Sequence, residues 1–139
     1  MIQSIYLFGN PNCGKTTVFN QLTGLNQKIS NYPGITVEKK MGSLRLSHDT
    51  VNVIDFPGTY SLNPTSPDEK IVIDSVRACC REKRNKSKLI ISIVDASNLA
   101  RNLFLTTQLI DTGIPIILAI NKIDMIKNIE DIDIEKLKK

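Results

Sequence analysis

Gly9-Asn10-Pro11-Asn12-Cys13-Gly14-Lys15-Thr16 decides the fold class, because it matches G-x-x-x-x-G-K-[ST] with an apolar run before it and a helical pattern after it. Ile5, Tyr6, Leu7 and Phe8 form the run, which reads as a short buried strand ending at Gly9. Lys15 to Leu22 reads as a helix with Val18, Phe19 and Leu22 on one face. Between the two, glycines let the backbone curl so that successive N–H groups point inward, and the helix start adds the positive end of its dipole. Such a loop is built for phosphate. The expected contacts run through Gly9, Asn10, Pro11, Asn12, Cys13, Gly14, Lys15, Thr16 and Thr17, with Lys15 reaching the β and γ phosphates and the Thr16 hydroxyl ligating Mg²⁺.

Outward from this loop, strand-like and helix-like segments alternate, the pattern of an α/β fold with a mostly parallel sheet. A loop rich in Asn, Gly and Pro (Gly24 to Gly34) precedes a strand from Thr36 to about Ser47, in which Leu44 and Leu46 alternate with polar residues. His48 falls in the turn before a partner strand carrying Val51, Val53 and Ile54. Ser66-Pro67-Asp68-Glu69 joins a capping-box pattern to a first-turn proline and two acids, so a helix starts there and presents Val72, Val76 and Cys79 to the core. Leu89 to Val94 predicts a strand, Leu99, Leu103 and Ile110 mark a helix closed by Gly113, and Ile116 to Ile120 predicts a buried strand. No internal repeat or low-complexity segment interrupts the series.

Two further motifs end apolar strands. Asp55-Phe56-Pro57-Gly58 fits D-x-x-G: Asp55 is placed to hold the Mg²⁺ shell, and the Gly58 N–H to meet the γ-phosphate because no side chain blocks it. Asn121-Lys122-Ile123-Asp124 fits N-K-x-D. A carboxylate at Asp124 accepts from both N–H groups on the N1 and N2 edge of guanine, whereas adenine offers an acceptor at N1 and no 2-amino group. That mismatch selects GTP over ATP. Asn121 ties this loop to the phosphate side, and the Lys122 stem covers the base.

At 139 residues with 41% hydrophobic residues the chain suits one domain, residues 1–139. Its apolar runs are far shorter than the roughly 18–20 residues that cross a bilayer, and its start carries no secretory signal pattern, so a cytosolic domain is expected. Cys13, Cys79 and Cys80 make an odd and poorly spaced set for a disulfide framework or zinc site, and read as reduced thiols. The net charge of +4 is concentrated in Arg77 to Lys88, which suits nucleic acid or anionic lipid but, lacking aromatics, reads as a solvated helix end and loop. No nucleic-acid partner is expected. Only 139 − 124 = 15 residues follow Asp124, so one more strand and helix, and whatever completes the base pocket, are expected to lie beyond this sequence.

The three motifs together resemble the P-loop GTPases of the translation-factor-like class. The segments between them narrow the resemblance: Asn10 to Cys13, Asn31-Tyr32-Pro33-Gly34-Ile35-Thr36-Val37-Glu38-Lys39-Lys40-Met41-Gly42, and Asp55 to Leu62 with Ser66 to Glu69 look like the G domain of the ferrous iron transport protein B family, over roughly residues 1 to 125. The match departs at Lys122, where that family often carries methionine. The resemblance implies a G-domain fold, a mostly parallel twisted sheet flanked by helices with one antiparallel edge strand. It also implies a GTPase on the cytoplasmic face of the bacterial inner membrane, followed in the full-length protein by helical and transmembrane regions for Fe²⁺ uptake, with homo-oligomers among its possible assemblies. A soluble ribosome- or RNA-associated assembly GTPase is the alternative that shares Asn12.

Phosphoryl transfer in such a site needs an in-line water and charge neutralisation, with no covalent role for the protein. Gly34, Ile35 and Thr36 lie where a first switch closes; the Thr36 hydroxyl is expected to complete the Mg²⁺ shell and its carbonyl to hold the water. Lys15, Thr36 and Gly58 are thus the expected catalytic set. Thr59 stands where many signalling GTPases place a water-orienting glutamine and is too short for that task, so slow hydrolysis is expected. No arginine occupies a finger position; Arg101 reads as a solvated helix residue. The resemblance implies that Asn12 helps hold K⁺ against the phosphates in its stead.

Overall fold

β1 (Ser4–Gly9) alternates its side chains across the sheet, Ile5 and Leu7 to one face and Tyr6 and Phe8 to the other, and all four are buried. A strand that is apolar on both faces belongs at the centre of a sheet covered on both sides, and β1 lies there. The structure, a computed structural model, describes residues 1–81 and 87–138. The remaining elements are α1 (Lys15–Thr23), β2 (Gln27–Asn31), β3 (Glu38–Arg45), β4 (Thr50–Asp55), α2 (Pro67–Arg81), β5 (Lys88–Asp95), α3 (Leu99–Ile110), β6 (Ile116–Asn121) and a short α4 (Ile134–Leu137).

The six strands run in the order β2-β3-β4-β1-β5-β6, with β4, β1, β5 and β6 mutually parallel. The expected α/β sheet is therefore present, with one change in detail. The antiparallel strand β3 is not the edge, because β2 pairs outside it from Gln27 opposite Gly42 to Asn31 opposite Glu38. All five β2 residues are exposed, so no apolar alternation marks them in the sequence, and the segment reads as loop.

Two cores follow from the alternation. On one face Ile5, Leu7, Val51, Val53 and Ile93 pack with Cys13 and Phe19. On the other, Tyr6, Phe8, Ile54, Phe56 and Ile90 pack with Val72 and Val76 of α2 and Leu105 and Leu109 of α3. At nine residues α1 is shorter than the ~12–15 an isolated helix needs, so burial of Phe19, worth roughly 1.5–3 kcal/mol, rather than propensity holds it in place.

Helix α2 starts as its sequence demands. The Glu69 N–H donates to the Ser66 hydroxyl at 3.2 Å, while the Glu69 carboxylate accepts from the N–H and hydroxyl of Thr65, both at 2.7 Å, one residue earlier than the usual box. Helix α3 presents a different face from the one marked by Leu99, Leu103 and Ile110. Asn102, Leu105, Thr106 and Leu109 are buried, and Ile110 is 60% exposed. Asn102 and Thr106 are tolerated inside because each is bonded: Asn102 accepts from the Asp95 N–H and donates to the Asn98 carbonyl, and Thr106 shares a 2.8 Å hydrogen bond with Ser92.

β6, expected to be buried, is only half-buried, because it is the last strand of the sheet and Ile117 is 50% exposed. His48 occupies the bend between β3 and β4, which the Leu46 N–H to Asp49 carbonyl bond closes. Of the basic stretch Arg77 to Lys88, residues 82–86 lie outside those described. Lys88 is not part of a solvated face, for it is buried and its ammonium donates to the Cys79 carbonyl. The three cysteines are free thiols. Among the described residues no helix is long and apolar enough to cross a membrane.

Candidate functional site

At the carboxyl ends of β1, β4 and β6 the three motifs meet, as the parallel order brings them side by side. The loop from Gly9 turns back on itself through Asn12 (φ 64°) and Gly14 (φ 91°), both left-handed, before α1 begins at Lys15. Gly14 is fixed twice over: its backbone conformation disfavours a side chain, and a Cβ there would lie 2.1 Å from Asn121 Nδ2. Asn10, Pro11, Asn12, Gly14, Lys15, Thr16, Thr17 and Gly58 line a cavity of about 460 Å³. Cys13 takes part through its backbone alone, its side chain being buried among Ile5, Leu7 and Phe19. That burial pushes its thiol pKa up.

The D-x-x-G turn leans on this loop. The Thr59 N–H donates to the Gly9 carbonyl at 3.2 Å, and a Cβ on Gly58 would stand 3.0 Å from the Pro11 Cα, so close that one of the two would have to shift by a few tenths of an ångström. Phe56 stacks on Phe8 with ring centroids 4.8 Å apart, which fixes the strand end from below. Asp55 and Lys15 are both buried and form an ion pair. A second cavity, of about 320 Å³, is lined by Lys15, Thr16, Val37, Glu38, Lys40, Asp55, Phe56, Pro57 and Gly58.

Thr16 and Asp55 offer the hard oxygens that Mg²⁺ prefers, and they share this second cavity. Among the described residues no three His, Cys, Asp or Glu side chains converge on a metal position. The residues therefore fit a Mg²⁺ held partly by phosphate oxygens and not by a protein cage.

The N-K-x-D loop is latched to the phosphate loop by two bonds. Asn121 Nδ2 donates to the Cys13 carbonyl at 3.0 Å, and the Lys122 ammonium to the Asn12 carbonyl at 2.6 Å. Lys122 also pairs with Asp95 at 2.7 Å, a contact not foreseen from the sequence. The parallel register that sets Asp95 opposite Asn121 explains it, since neighbouring strand ends present neighbouring side chains. Asp124 follows in a turn, exposed and facing away from the core.

The hydrogen bond from Lys122, followed by those from Ser97, holds the Asp95 carboxyl below the usual carboxylate range. A depressed folded pKa contributes stability that is present above the unfolded value, about pH 4, and is lost as pH falls through the folded one. Asp95→Asn is expected to lower unfolding stability by roughly 1 kcal/mol at pH 7 and by almost nothing near pH 2, as read by urea denaturation at both pH values.

Not every expected residue joins the site. Gly34, Ile35 and Thr36 line neither cavity. Thr36 and Gly34 are exposed on the turn before β3, and Ile35 packs against the core cluster that holds buried Tyr32. Val37, Glu38 and Lys40 stand in the second cavity instead. Arg101 is not simply solvated: its guanidinium lies 4.4 Å over the Tyr60 ring. On the same helix Gln108 accepts the Leu62 N–H at 2.6 Å, so α3 holds the segment after Gly58 by two contacts.

Comparison with known proteins places this geometry. The family described as ferrous iron transport protein B matches residues 3–139. The Fe(2+) transporter FeoB of Leptospira biflexa is 44% identical over 98% of this chain, which covers 19% of that protein; the chain thus spans about a fifth of such a relative. The crystal structure of the G domain of the T. maritima FeoB iron transporter is 38% identical with a TM-score of 0.82, covering 99% of this chain and 81% of that one. An S. thermophilus NFeoB mutant bound to GDP is 44% identical with a TM-score of 0.81, covering 99% of this chain and 50% of that one.

Proposed function

The chain belongs to the ferrous iron transport protein B family, as its N-terminal G domain, and from that premise we propose that it binds GTP and GDP with Mg²⁺ and hydrolyses GTP slowly. One observation carries the reading: the D-x-x-G turn and the N-K-x-D loop are each hydrogen-bonded to the phosphate loop, through Gly9 to Thr59, Cys13 to Asn121 and Asn12 to Lys122. A nucleotide seated there meets backbone N–H groups at its phosphates and a carboxylate at its base in one connected frame. Its place in the whole protein is the cytosolic end of an Fe²⁺ transporter, next to the helical and transmembrane regions, where the nucleotide state acts as a switch.

In this reading Lys15 would leave Asp55 for the phosphates, and Asp55 and Thr16 would hold the Mg²⁺, which would supply charge neutralisation there. Gly58 gives its N–H to the γ-phosphate. Thr36 has to travel from its exposed turn to reach the same point, which makes the first switch an ordered state that the nucleotide itself must stabilise. Water is held by backbone groups. Thr59 cannot do it, for its hydroxyl donates to the Ser61 carbonyl at 2.8 Å and serves the turn. Thr59→Ala is expected to change the single-turnover rate by less than about tenfold, and a loss above about a hundredfold would sink the assignment.

K⁺ beside Asn12 is the proposed source of the missing finger charge. Asn12 lines the phosphate cavity, and its carbonyl already takes a cation, the Lys122 ammonium. GTP hydrolysis measured in KCl and in NaCl at equal ionic strength is expected to be at least about tenfold faster in KCl. Equal rates refute the K⁺ role, and no turnover in either salt refutes the GTPase reading.

A further inference from the structure

Asn10 is 4% exposed, and neither its Nδ2 nor its Oδ1 meets a hydrogen-bond partner among the described residues. Buried amides are nearly always paired, and an unmet group disfavours the state containing it by about tenfold. Asn20 and Tyr32 also carry such unpaired atoms, but of the three residues Asn10 alone lines the phosphate-loop cavity. Its position is particular. The Gly9 carbonyl on one side accepts the Thr59 N–H, and Pro11 on the other side packs against Gly58. Asn10 is therefore flanked by the two contacts through which the D-x-x-G turn rests on the loop, while its own carbonyl is engaged by the Cys13 N–H at 3.2 Å.

We propose that Asn10 is a positioning residue that helps the domain tell GTP from GDP: its side-chain amide, unpaired in the arrangement seen here, gains partners on the backbone of Pro57-Gly58-Thr59 when that turn closes on a γ-phosphate. An amide offers a donor and an acceptor, which is what a shifting peptide unit requires, since a moving turn exposes one N–H and one carbonyl together. In the open arrangement the unpaired amide is a penalty, and in the closed one it is relieved, so the difference falls on the triphosphate state alone. A ligand shifts such an equilibrium only by its differential affinity for the two states, and here the side chain enlarges that differential. The inference rests on the guanine-nucleotide reading above.

Binding of fluorescent mant-GDP and mant-GMPPNP to the full-length protein with wild-type sequence, Asn10→Ala and Asn10→Ser tests it, with thermal unfolding of each in the absence of nucleotide. Asn10→Ala is expected to weaken mant-GMPPNP about tenfold while mant-GDP stays within about twofold. Without nucleotide its melting temperature is expected to be equal to or above wild type, because an unpaired buried amide has been removed. Asn10→Ser, which keeps a donor and an acceptor on a shorter arm, is expected to fall between. Equal weakening of both nucleotides overturns the proposal, as does a melting temperature several degrees lower for both variants, which means the amide is already paired in the open state. Wild-type protein that binds neither nucleotide overturns the guanine-nucleotide reading instead.

Discussion

Replacing Lys15 with methionine is expected to lower GTP hydrolysis by at least about a thousandfold and, separately, to destabilise the fold by about 3–5 kcal/mol. The first effect follows from the task assigned to the ammonium, which is to sit at the β and γ phosphates where charge develops during transfer. Methionine keeps the length of the stem and removes only the charge and its donors. The second effect comes from the structure without nucleotide. Lys15 and Asp55 are ion-paired with side chains 9% and 5% exposed, so removing the cation leaves a buried carboxylate without compensation. The double variant Lys15→Met with Asp55→Asn separates the two. It is expected to recover most of the stability, because no unpaired charge remains, and none of the activity. A single variant as stable as wild type in urea denaturation refutes the buried-pair argument, and turnover within tenfold of wild type refutes the catalytic assignment.

The pairing also bears on how the site changes on binding. The same two residues that hold each other without nucleotide are those proposed to meet phosphate and Mg²⁺ in the complex. On that proposal each would have a charged partner both with and without nucleotide, and neither end state would hold an isolated buried charge. This suits a site that must release product, since desolvated charges left unpaired would add several kcal/mol to the barrier for emptying it.

The strand before the phosphate loop, the loop itself and the helix after it are legible in the sequence because each depends on local demands: an apolar run, left-handed positions and a helix start. Helix α2 is legible for the same reason, its capping residues being adjacent in sequence. Other features depend on partners far along the chain. Gln27–Asn31 becomes a strand only because β3 lies beside it, and its exposed residues carry no periodic signal. The buried face of α3 is half polar, so apolar spacing alone points to a different face. What places Asn102 and Thr106 inside is hydrogen bonding to Asp95 and Ser92, which no pattern within the helix announces. The Asp95 to Lys122 pair is of the same kind, joining residues 27 apart through the register of β5 with β6. The first switch reads as part of the site from its motif alone. The structure sets Thr36 on an exposed turn, since a loop closed by a ligand has no local reason to close without it.

Asp124 is the position proposed to read the base. Its carboxylate is proposed to accept from N1–H and the 2-amino group of guanine, and Asp124→Ala is expected to weaken GDP and GTP binding by at least about a hundredfold. Stability provides the control: Asp124 is exposed, so the nucleotide-free protein is expected to unfold within about 0.5 kcal/mol of wild type. Asp124→Asn carries the argument further. An amide offers one acceptor, which still suits N1–H, and one donor, which meets the guanine 2-amino group with a clash of like hydrogens. Xanthine has a carbonyl at that carbon, so the same donor then finds an acceptor. The asparagine variant is therefore expected to lose guanine nucleotides about as severely as the alanine variant while gaining measurable affinity for xanthosine diphosphate, by competition against mant-GDP and direct titration. If alanine and asparagine variants both keep wild-type GDP affinity, the base is read elsewhere. If both lose GDP and the asparagine variant gains nothing for xanthine, Asp124 supports the loop without touching the base, and the guanine selectivity has to come from Asn121, which already bridges to Cys13, or from residues outside this sequence.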